Sequence, residues 1–178
     1  MKILVTGGAG FIGSHVTEAL LARGDEVVSF DNFNDYYSPV RKRKNVAPFL
    51  ANPSYHLYEQ DIRDLEGMDL IFAQEQRIGG IEKIVHMAAL AGVRHSVENP
   101  LDYPSVNEQG TLHLLELARR YGVRNFVFAS SSSVYGANKK TPFSETDPTD
   151  RPLAPYPASK KASELLIHAY HHAYGLRS

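Results

Sequence analysis

The chain alternates between short, continuous apolar runs and longer stretches in which apolar residues recur at helical spacing. The short runs are typical of buried parallel strands, and a glycine or a polar residue follows most of them. The strands are therefore predicted at residues 2–6, 26–30, 54–59, 83–87 and 125–129.

Helical stretches separate the predicted strands and follow the last one. The first helix opens in the glycines after the first strand, a basic helix reaches about Leu50, and Asp64 can cap the next helix. Two longer helices are predicted at 101–121 and 156–174, and a loop precedes the first of these. The apolar side of the helix after Asp64 is predicted to be formed by Leu65, Met68, Leu70, Ile71 and Phe72.

Strands that alternate with helices in this way predict an α/β fold, a doubly wound parallel sheet in the order 3-2-1-4-5 with helices on both faces. No internal repeat, low-complexity segment or linker interrupts the chain, so residues 1–178 are predicted to form one domain. Ligands bind such sheets at the carboxyl ends of the strands. The glycines after the first strand, the serines after the fifth and Tyr156 all fall at that edge, which predicts a site there.

Glycine recurs at every third position after the first strand, as Gly7, Gly10 and Gly13. Gly7 permits a tight turn, Gly10 lets the backbone approach a pyrophosphate, and Gly13 lets the helix pack close to the sheet. Phosphates would lie on the helix N-terminus, where free N–H groups and the macrodipole favour anions. A glycine turn without a ligand is the alternative. The flanking strand, the helix and a later acidic residue favour a dinucleotide site.

That acidic residue is Asp31, which ends the second strand 18 positions after Gly13. An acid about 20 residues after the glycines contacts the ribose 2′-OH of NAD in dinucleotide sites. A carboxylate there would repel the 2′-phosphate of NADP, so NAD is the predicted cofactor. The alternative is that Asp31 only begins a turn with Asn32.

Two further strand ends carry residues that suit the same ligand. Asp61 follows the third strand and is placed to touch the adenine end of a dinucleotide. The small residues at 86–89 follow the fourth strand, where a nicotinamide ribose could approach closely.

Tyr156 and Lys160 are four positions apart, so on a helix they share one face. A tyrosine is a poor base at its reference pKa of about 10, but a nearby ammonium stabilises the phenolate and lowers that pKa. Such a pair can take a proton from an alcohol while hydride leaves the same carbon, and a serine hydroxyl can relay the proton or hold the oxygen. Alone, this spacing is a frequent coincidence; beside a nucleotide fingerprint it predicts the catalytic pair.

Composition excludes several other classes of protein. The 178 residues are 43% hydrophobic and 22% charged, and a net charge of -1 gives no global attraction to nucleic acid or anionic membranes. The lack of cysteine excludes disulfides and thiolate metal sites, and no apolar run approaches the ~20 residues of a membrane span. The cytoplasm is the predicted location. No metal is predicted, because His168 and His172 lack a third ligand and suit a solvated helix face.

Together these motifs resemble the extended short-chain dehydrogenase/reductase family, whose members have a Rossmann-like fold, and the resemblance covers essentially the whole chain. Within that family, the segments 31–37, 89–100 and 130–138 are most similar to UDP-glucuronate 4-epimerases. The motifs that carry the family resemblance are 6–13, Asp31, Asp61, 86–89, Asn107, 130–136 and 156–160.

The resemblance implies oxidation at the sugar C4, rotation of the 4-keto intermediate and return of hydride to its other face. Tyr156 would be the base, Lys160 its pKa partner and ribose anchor, and Ser131 the catalytic hydroxyl. The implied substrate contacts are Ser131, Ser132, Ser133 and Tyr156. The implied NAD contacts are Gly7, Gly10, Phe11, Ile12, Gly13, Asp31, Asn32, Asp61, Ile62, Ala88, Ala89, Tyr156 and Lys160.

Ser132 and Ser133 bear on the reaction type. Sugar-nucleotide 4,6-dehydratases of the family carry Asp-Glu directly after the catalytic hydroxyl residue, and the related decarboxylases carry a Glu there. Two serines cannot supply that second acid, so the resemblance favours epimerisation.

Members of the family typically continue into a sixth strand and a C-terminal region that binds the UDP-sugar. The sequence stops at Ser178, so the substrate site is expected to be incomplete. The fifth strand would then be a hydrophobic sheet edge, and in the family helices matching 101–121 and 156–174 form a four-helix interface. A homodimer or an aggregate is therefore predicted rather than a monomer.

Three functions fit the sequence. The first is a UDP-uronate 4-epimerase, which best describes the chain's ancestry. The second, favoured for the chain as it stands, is a module that binds NAD without turnover. The third is a dehydratase or reductase that acts on another nucleotide sugar.

Overall fold

The structure, a computed structural model, describes all residues from Met1 to Ser178. Five parallel strands form one sheet in the order β3-β2-β1-β4-β5, which confirms the predicted topology. The strands are β1 Lys2–Thr6, β2 Glu26–Asp31, β3 Tyr55–Glu59, β4 Lys83–His86 and β5 Asn125–Phe128. The predicted strand limits agree with these to within one residue.

Six α-helices surround the sheet. Two of them, α1 and α2, pack with the apolar cluster on one face, and α3, α5 and α6 pack with the larger cluster on the other. No helix in the structure is both long and apolar enough to span a bilayer. The helices are α1 Phe11–Ala22, α2 Pro39–Val46, α3 Leu65–Gln76, α4 Val93–Glu98, α5 Gly110–Arg120 and α6 Pro155–Tyr174.

The two apolar clusters follow from the sequence of the strands. Alternate residues of a strand point to opposite faces, so Leu4 lies in the larger cluster and its neighbour Val5 in the smaller one. All five residues of β1 are buried, as expected for a central parallel strand with helices on both faces. The sheet is thus a rigid base for whatever lies at its carboxyl edge.

Three helix predictions need correction. The basic helix ends at Val46, and a separate 3₁₀ turn, Ala47–Phe49, follows it. The segment before residue 101, predicted as loop, contains α4. The long helix predicted at 101–121 contains a π-helical segment, Pro104–Gln109, before α5 begins.

Leu70 is also not part of the apolar side of α3, because 74% of it is exposed. Met68 and Phe72 are buried there as predicted, and they are four residues apart on one helical face. Asp64 caps the helix as predicted, with its side chain accepting a hydrogen bond from the Gly67 amide.

The outer edge of β5 is partly covered by the end of the chain. The amide of Phe126 donates to the carbonyl of Arg177 at 2.8 Å, and Asn125 and Arg177 form a parallel bridge. Further along the strand, Val127 is 49% exposed. The edge is therefore paired at its amino end and open beyond it.

Candidate functional site

A cleft of about 540 Å³ lies at the carboxyl edge of the sheet. Its walls come from the glycine turn, the loop after β2, the loop after β3, the segment after β4 and the first turns of α6. Every residue implied above as an NAD contact lines this cleft, although these residues come from five separate parts of the chain. The sheet topology thus gathers them as the strand-end argument predicted.

Gly7 and Gly13 shape the turn for physical reasons that the structure makes explicit. Gly7 has a φ of +67°, and a Cβ there would lie 2.8 Å from the backbone nitrogen of Ala88. A Cβ on Gly13 would lie 2.1 Å from the carbonyl oxygen of Gly7. The close approach at Gly13 is therefore to the turn itself, whereas the sequence suggested the sheet. Both positions keep the turn and the helix start compact.

The N-terminus of α1 opens onto the cleft. No side chain caps it, and its first turn contains no acidic residue. Phe11 and Ile12 are 79% and 60% exposed although they are large and apolar. Uncapped N–H groups and the helix dipole favour an anion here, and the two apolar side chains can cover the ligand that carries it.

Asp31 is nearly buried at the end of β2. One carboxylate oxygen accepts from the Ala9 amide at 3.1 Å, and the other accepts from the Phe33 amide at 2.9 Å. The ammonium of Lys42 lies 3.4 Å from the second oxygen. The side chain does begin a turn, as the alternative interpretation held, and it also faces the cleft.

Asp61 is held by two neighbours on the cleft wall. Arg63 donates to both of its carboxylate oxygens, at 3.0 and 2.7 Å, and the Asn32 amide donates to one of them at 2.9 Å. The hydrogen bonds from Arg63, with its charge, lower the pKa of Asp61 to about 2 despite partial burial. Asp61 is therefore an anion at any physiological pH, and Asn32 and Arg63 fix its direction.

Tyr156 and Lys160 share the inner face of α6, as the spacing predicted. Lys160 is only 3% exposed; its Nζ donates to the Ala129 carbonyl at 2.8 Å and lies 4.7 Å from the centre of the Phe128 ring. Burial lowers the pKa of Lys160 to about 8, so its ammonium is still charged at neutral pH. The arrangement supplies a buried positive charge one helical turn from the phenol.

Tyr103 supports Tyr156 from the side. Its ring packs edge-on against the Tyr156 ring with centroids 6.0 Å apart, and it is completely buried. Its hydroxyl contacts the carbonyls of Ala91 and Gly92 at 2.8 and 3.0 Å and Nδ1 of His95 at 3.0 Å. A phenol has one hydrogen, which the carbonyls accept, so Nδ1 of His95 is the donor to the phenol oxygen. Tyr103 therefore lies under the loop that follows β4.

His86 lies in a directed chain of hydrogen bonds under the cleft. Burial, with the Lys160 charge as a smaller cause, lowers the pKa of His86 to about 3, so the ring is neutral. Thr111 donates to the Asn107 carbonyl, which leaves its oxygen to accept from Nε2 of His86 at 3.0 Å. Nδ1 then accepts from Thr6 at 2.7 Å, and the Thr6 oxygen accepts from the Ala88 amide at 3.1 Å.

Asn107 joins the segment after β4 to α6. Its amide group exchanges two hydrogen bonds with the backbone of Leu90, at 2.8 and 3.0 Å, and donates to Ser159 at 2.9 Å. Ser159 in turn donates to the backbone carbonyl of Tyr156 at 2.8 Å. Asn107 fixes the helix that carries Tyr156 and Lys160 against the segment after β4.

The serines are placed differently from the cofactor residues. Ser130 lines the cleft, whereas Ser131, Ser132 and Ser133 are not among the residues of its wall. The hydroxyl oxygen of Ser131 accepts from the Ser133 amide at 3.2 Å and caps the 3₁₀ turn Ser132–Tyr135. Sequence reasoning did not single out Ser130 as a wall residue, because four consecutive serines give no signal that separates them.

One group of side chains has the spacing of a metal site. Ligand atoms of Glu26, His56 and Glu75 lie within 4.8 Å of one another near the amino ends of β2 and β3, away from the cleft. The ammonium of Lys2 lies between the carboxylates, 2.7 Å from Glu75 and 2.9 Å from Glu26. Burial alone would lower the pKa of Lys2, but hydrogen bonds to both carboxylates outweigh it and raise the pKa. This cation already occupies the position that a metal would take.

Residues 4–178 match the family described as GDP-mannose 4,6 dehydratase. The chain belongs to this family. Its relatives include UDP-glucuronate 4-epimerase 4 of Arabidopsis thaliana, which is 47% identical over 177 residues, or 99% of this chain and 39% of the relative. The relatives of the chain therefore include epimerases, although the family is described by a dehydratase.

Solved structures of an epimerase and of a dehydratase are both similar to this chain over almost its whole length. UDP-glucuronic acid 4-epimerase from Bacillus cereus, in complex with UDP-glucuronic acid and NAD, is 34% identical with a TM-score of 0.88, covering 99% of this chain and 54% of that one. The dTDP-glucose 4,6-dehydratase DesIV from Streptomyces venezuelae, also with NAD bound, is 38% identical with a TM-score of 0.86, covering 99% and 53%. The chain spans about half the length of these relatives. NAD is the cofactor of the family, which has both epimerase and dehydratase members.

Proposed function

We propose that residues 1–178 are the NAD-binding domain of a UDP-uronate 4-epimerase. The observation that carries the proposal is the single cleft that joins the glycine turn, Asp31 and the Tyr156–Lys160 pair. The uncapped start of α1 suits the pyrophosphate, and Asp31 suits the adenosine ribose. The strong likeness to UDP-glucuronate epimerases supports the substrate class.

In this proposal NAD supplies the chemistry of accepting hydride from the sugar C4 and returning it. Tyr156 takes the C4 hydroxyl proton and later gives it back, and the charged Lys160 stabilises the phenolate between these steps. Ser131 holds the sugar oxygen. Its own oxygen accepts the Ser133 amide, which leaves its hydroxyl hydrogen to donate. Tyr103 and Asn107 keep the base in position from behind.

Epimerisation is preferred to dehydration because of Ser132 and Ser133. A dehydratase needs a second acid directly after the catalytic hydroxyl residue, and neither serine can act as one. A dehydratase in the same structural group has a TM-score of 0.86 with this chain, so the fold alone does not favour either reaction. The reaction type in the proposal rests on these two residues.

A second candidate function is NAD binding without turnover. It is favoured by the different placement of the cofactor residues and the serines. The cofactor residues all line one cleft, whereas Ser131–Ser133 lie outside its wall. In this case the chain would hold NAD, and the UDP-sugar would need further residues.

The test combines binding with product analysis. The purified chain is titrated with NAD and, in parallel, with NADP by calorimetry, and is then incubated with NAD and UDP-glucuronate. Saturable NAD binding with formation of UDP-galacturonate supports the epimerase, and binding without product supports the second function. A 6-deoxy-4-keto product would instead identify a dehydratase. No NAD binding would contradict the proposed site.

We also propose that the chain forms a homodimer. Leu165 and Tyr174 on α6 are 59% and 57% exposed, and Val127 on the open edge of β5 is 49% exposed. Pairing of two such surfaces would remove apolar area from water. Sedimentation velocity at micromolar concentration should show a dimer or larger species. A single monomeric species would contradict this prediction.

A further inference from the structure

The carboxylate proposed to read the ribose of NAD is already paired with a buried lysine. Lys42 is 6% exposed, and its ammonium lies 3.4 Å from Asp31 and 2.8 Å from the side-chain oxygen of Asn34. It belongs to α2, on the far side of the loop that follows β2. Its neighbours Arg41, Arg43 and Lys44 are all exposed. Lys42 alone turns inward from this basic run.

Two neighbouring carboxylates are also paired with cations. Arg43 pairs with Glu59 through two hydrogen bonds, and Arg63 pairs with Asp61 in the same way. The cleft wall contains three carboxylates, Asp31, Asp61 and Asp102, and three cations, Lys42, Arg63 and Lys160. It has no surplus of negative charge, so the repulsion expected from Asp31 toward a phosphate is largely offset.

Lys42 also has capacity for another hydrogen bond. An ammonium has three N–H donors, and its two hydrogen-bond acceptors in the structure are Asp31 and Asn34. Lys42, Asn34 and Asp31 all line the cleft. A phosphate on the ribose 2′-oxygen would therefore meet a buried cation beside the carboxylate, and a charge-assisted hydrogen bond is available to it.

We propose that Lys42 is a specificity-determining residue, the cation of a latent 2′-phosphate site that Asp31 masks. Asp31 excludes NADP by offsetting the charge of this ammonium and by presenting its own oxygens to the ribose. Neutralising Asp31 releases the ammonium for the phosphate. The inference rests on the proposed NAD site, because Asp31 and Lys42 would determine whether that site binds NAD or NADP, which differ only at this ribose.

The test compares Asp31→Asn with the double variant Asp31→Asn/Lys42→Met by calorimetric titration with NAD and NADP. Asparagine removes the charge and keeps one of the two acceptor oxygens, so either the Ala9 or the Phe33 amide loses its acceptor. Asp31→Asn should raise the affinity for NADP at least ~10-fold, and adding Lys42→Met should lower it again ~10-fold or more, the worth of one hydrogen bond to a charged group. The NAD affinity of the two variants should differ by less than about 5-fold, because NAD carries no phosphate there.

Three controls separate the possible outcomes. Asp31→Asn/Lys42→Arg keeps the cation and should bind NADP as Asp31→Asn does, and Asp31→Asn/Lys44→Met removes an exposed lysine of the same helix and should do likewise. Thermal unfolding checks that each variant is folded. Equal NADP affinity with and without Lys42, or no gain in Asp31→Asn, would overturn the inference while NAD binding by the unchanged chain still supports the proposed function. Failure of the unchanged chain to bind NAD would instead refute the site itself.

Discussion

Replacing Gly13 by alanine is expected to destabilise the domain by about 3 kcal/mol, because a methyl group there has no space. The added Cβ would lie 2.1 Å from the carbonyl oxygen of Gly7, 2.8 Å from its carbonyl carbon and 2.9 Å from the Cα of Gly8. These are backbone atoms, which no side-chain rotation can move aside. The Gly7 amide is also tied to the Phe30 carbonyl at 2.7 Å, so the turn cannot shift without disturbing β2.

Gly10→Ala is the matched control, three residues away in the same turn. A Cβ on Gly10 would meet a single atom, the Gly7 carbonyl oxygen, at 3.1 Å, and φ there is -72°. Its cost should be below about 1 kcal/mol, since the neighbour has to yield by only a few tenths of an ångström. Urea unfolding monitored by circular dichroism gives both free energies. Equal destabilisation by the two alanines would show that the contact at Gly13 is not the cause.

The same comparison has a functional side. The Gly7 carbonyl lies in the turn that leads to the uncapped start of α1, where the pyrophosphate is proposed to bind. If Gly13→Ala pushes this turn outward, the first N–H groups of the helix lose their direction toward the cleft. NAD affinity measured on the folded fraction of Gly13→Ala should fall more than 10-fold, in line with the loss of one or two charge-assisted hydrogen bonds.

The local sequence pattern was sufficient to predict the strands and their order in the sheet. A glycine or a polar residue follows most of the strand segments, and alternation with helices allows few topologies. The pattern was over-read at Leu70. It lies two residues from Met68, about 200° around the helix, so the periodicity that identified the buried side should have excluded it.

Contacts between side chains that are distant in the sequence were harder to predict. Lys42 lies in the basic run 41–44, of the kind that normally forms a solvated helix face, yet it is buried because Asp31 and Asn34 receive its ammonium. One signal was present: Val46 lies four residues later and is also buried, so the two share the inward face of α2. Propensity and composition cannot show that a charge has a partner eleven residues away.

The wall behind Tyr156 shows the same limit. Asn107 is one of the family motifs in the sequence, but its partners come from the loop after β4 and from α6, and the partners of Tyr103 lie in the same loop. The π-helical segment that carries Asn107 has no marker in the sequence beyond Pro104 at its start. These contacts depend on how three elements meet, which the alternation of strands and helices does not determine.

Replacing Lys160 by methionine is expected to raise the free energy of unfolding at pH 7 by about 2 kcal/mol while weakening NAD binding. Burial holds the pKa of Lys160 near 8, below its usual 10.5, so folding at neutral pH places an unfavourable charge inside the protein. A pKa lowered by this much corresponds to a cost of about 3 kcal/mol for the buried charge, which the substitution removes. Loss of the hydrogen bond to the Ala129 carbonyl destabilises the variant by about 1 kcal/mol. Methionine fills nearly the same volume without a charge.

The pH dependence distinguishes this cause from better packing. Between pH 8 and 10.5 the unfolded chain binds a proton at Lys160 that the folded protein has released, so wild-type stability rises with pH in that window. Lys160→Met lacks this titration, and its advantage should shrink across the window and vanish above it. Lys161→Met, which removes a lysine of the same helix that is 26% exposed and pairs with Glu164 at 3.0 Å, is the control. A stability difference for Lys160→Met that stays constant from pH 7 to about 11 would contradict the assignment. A variant that is more stable but binds NAD less tightly would indicate that the buried charge of Lys160 lowers stability and serves cofactor binding.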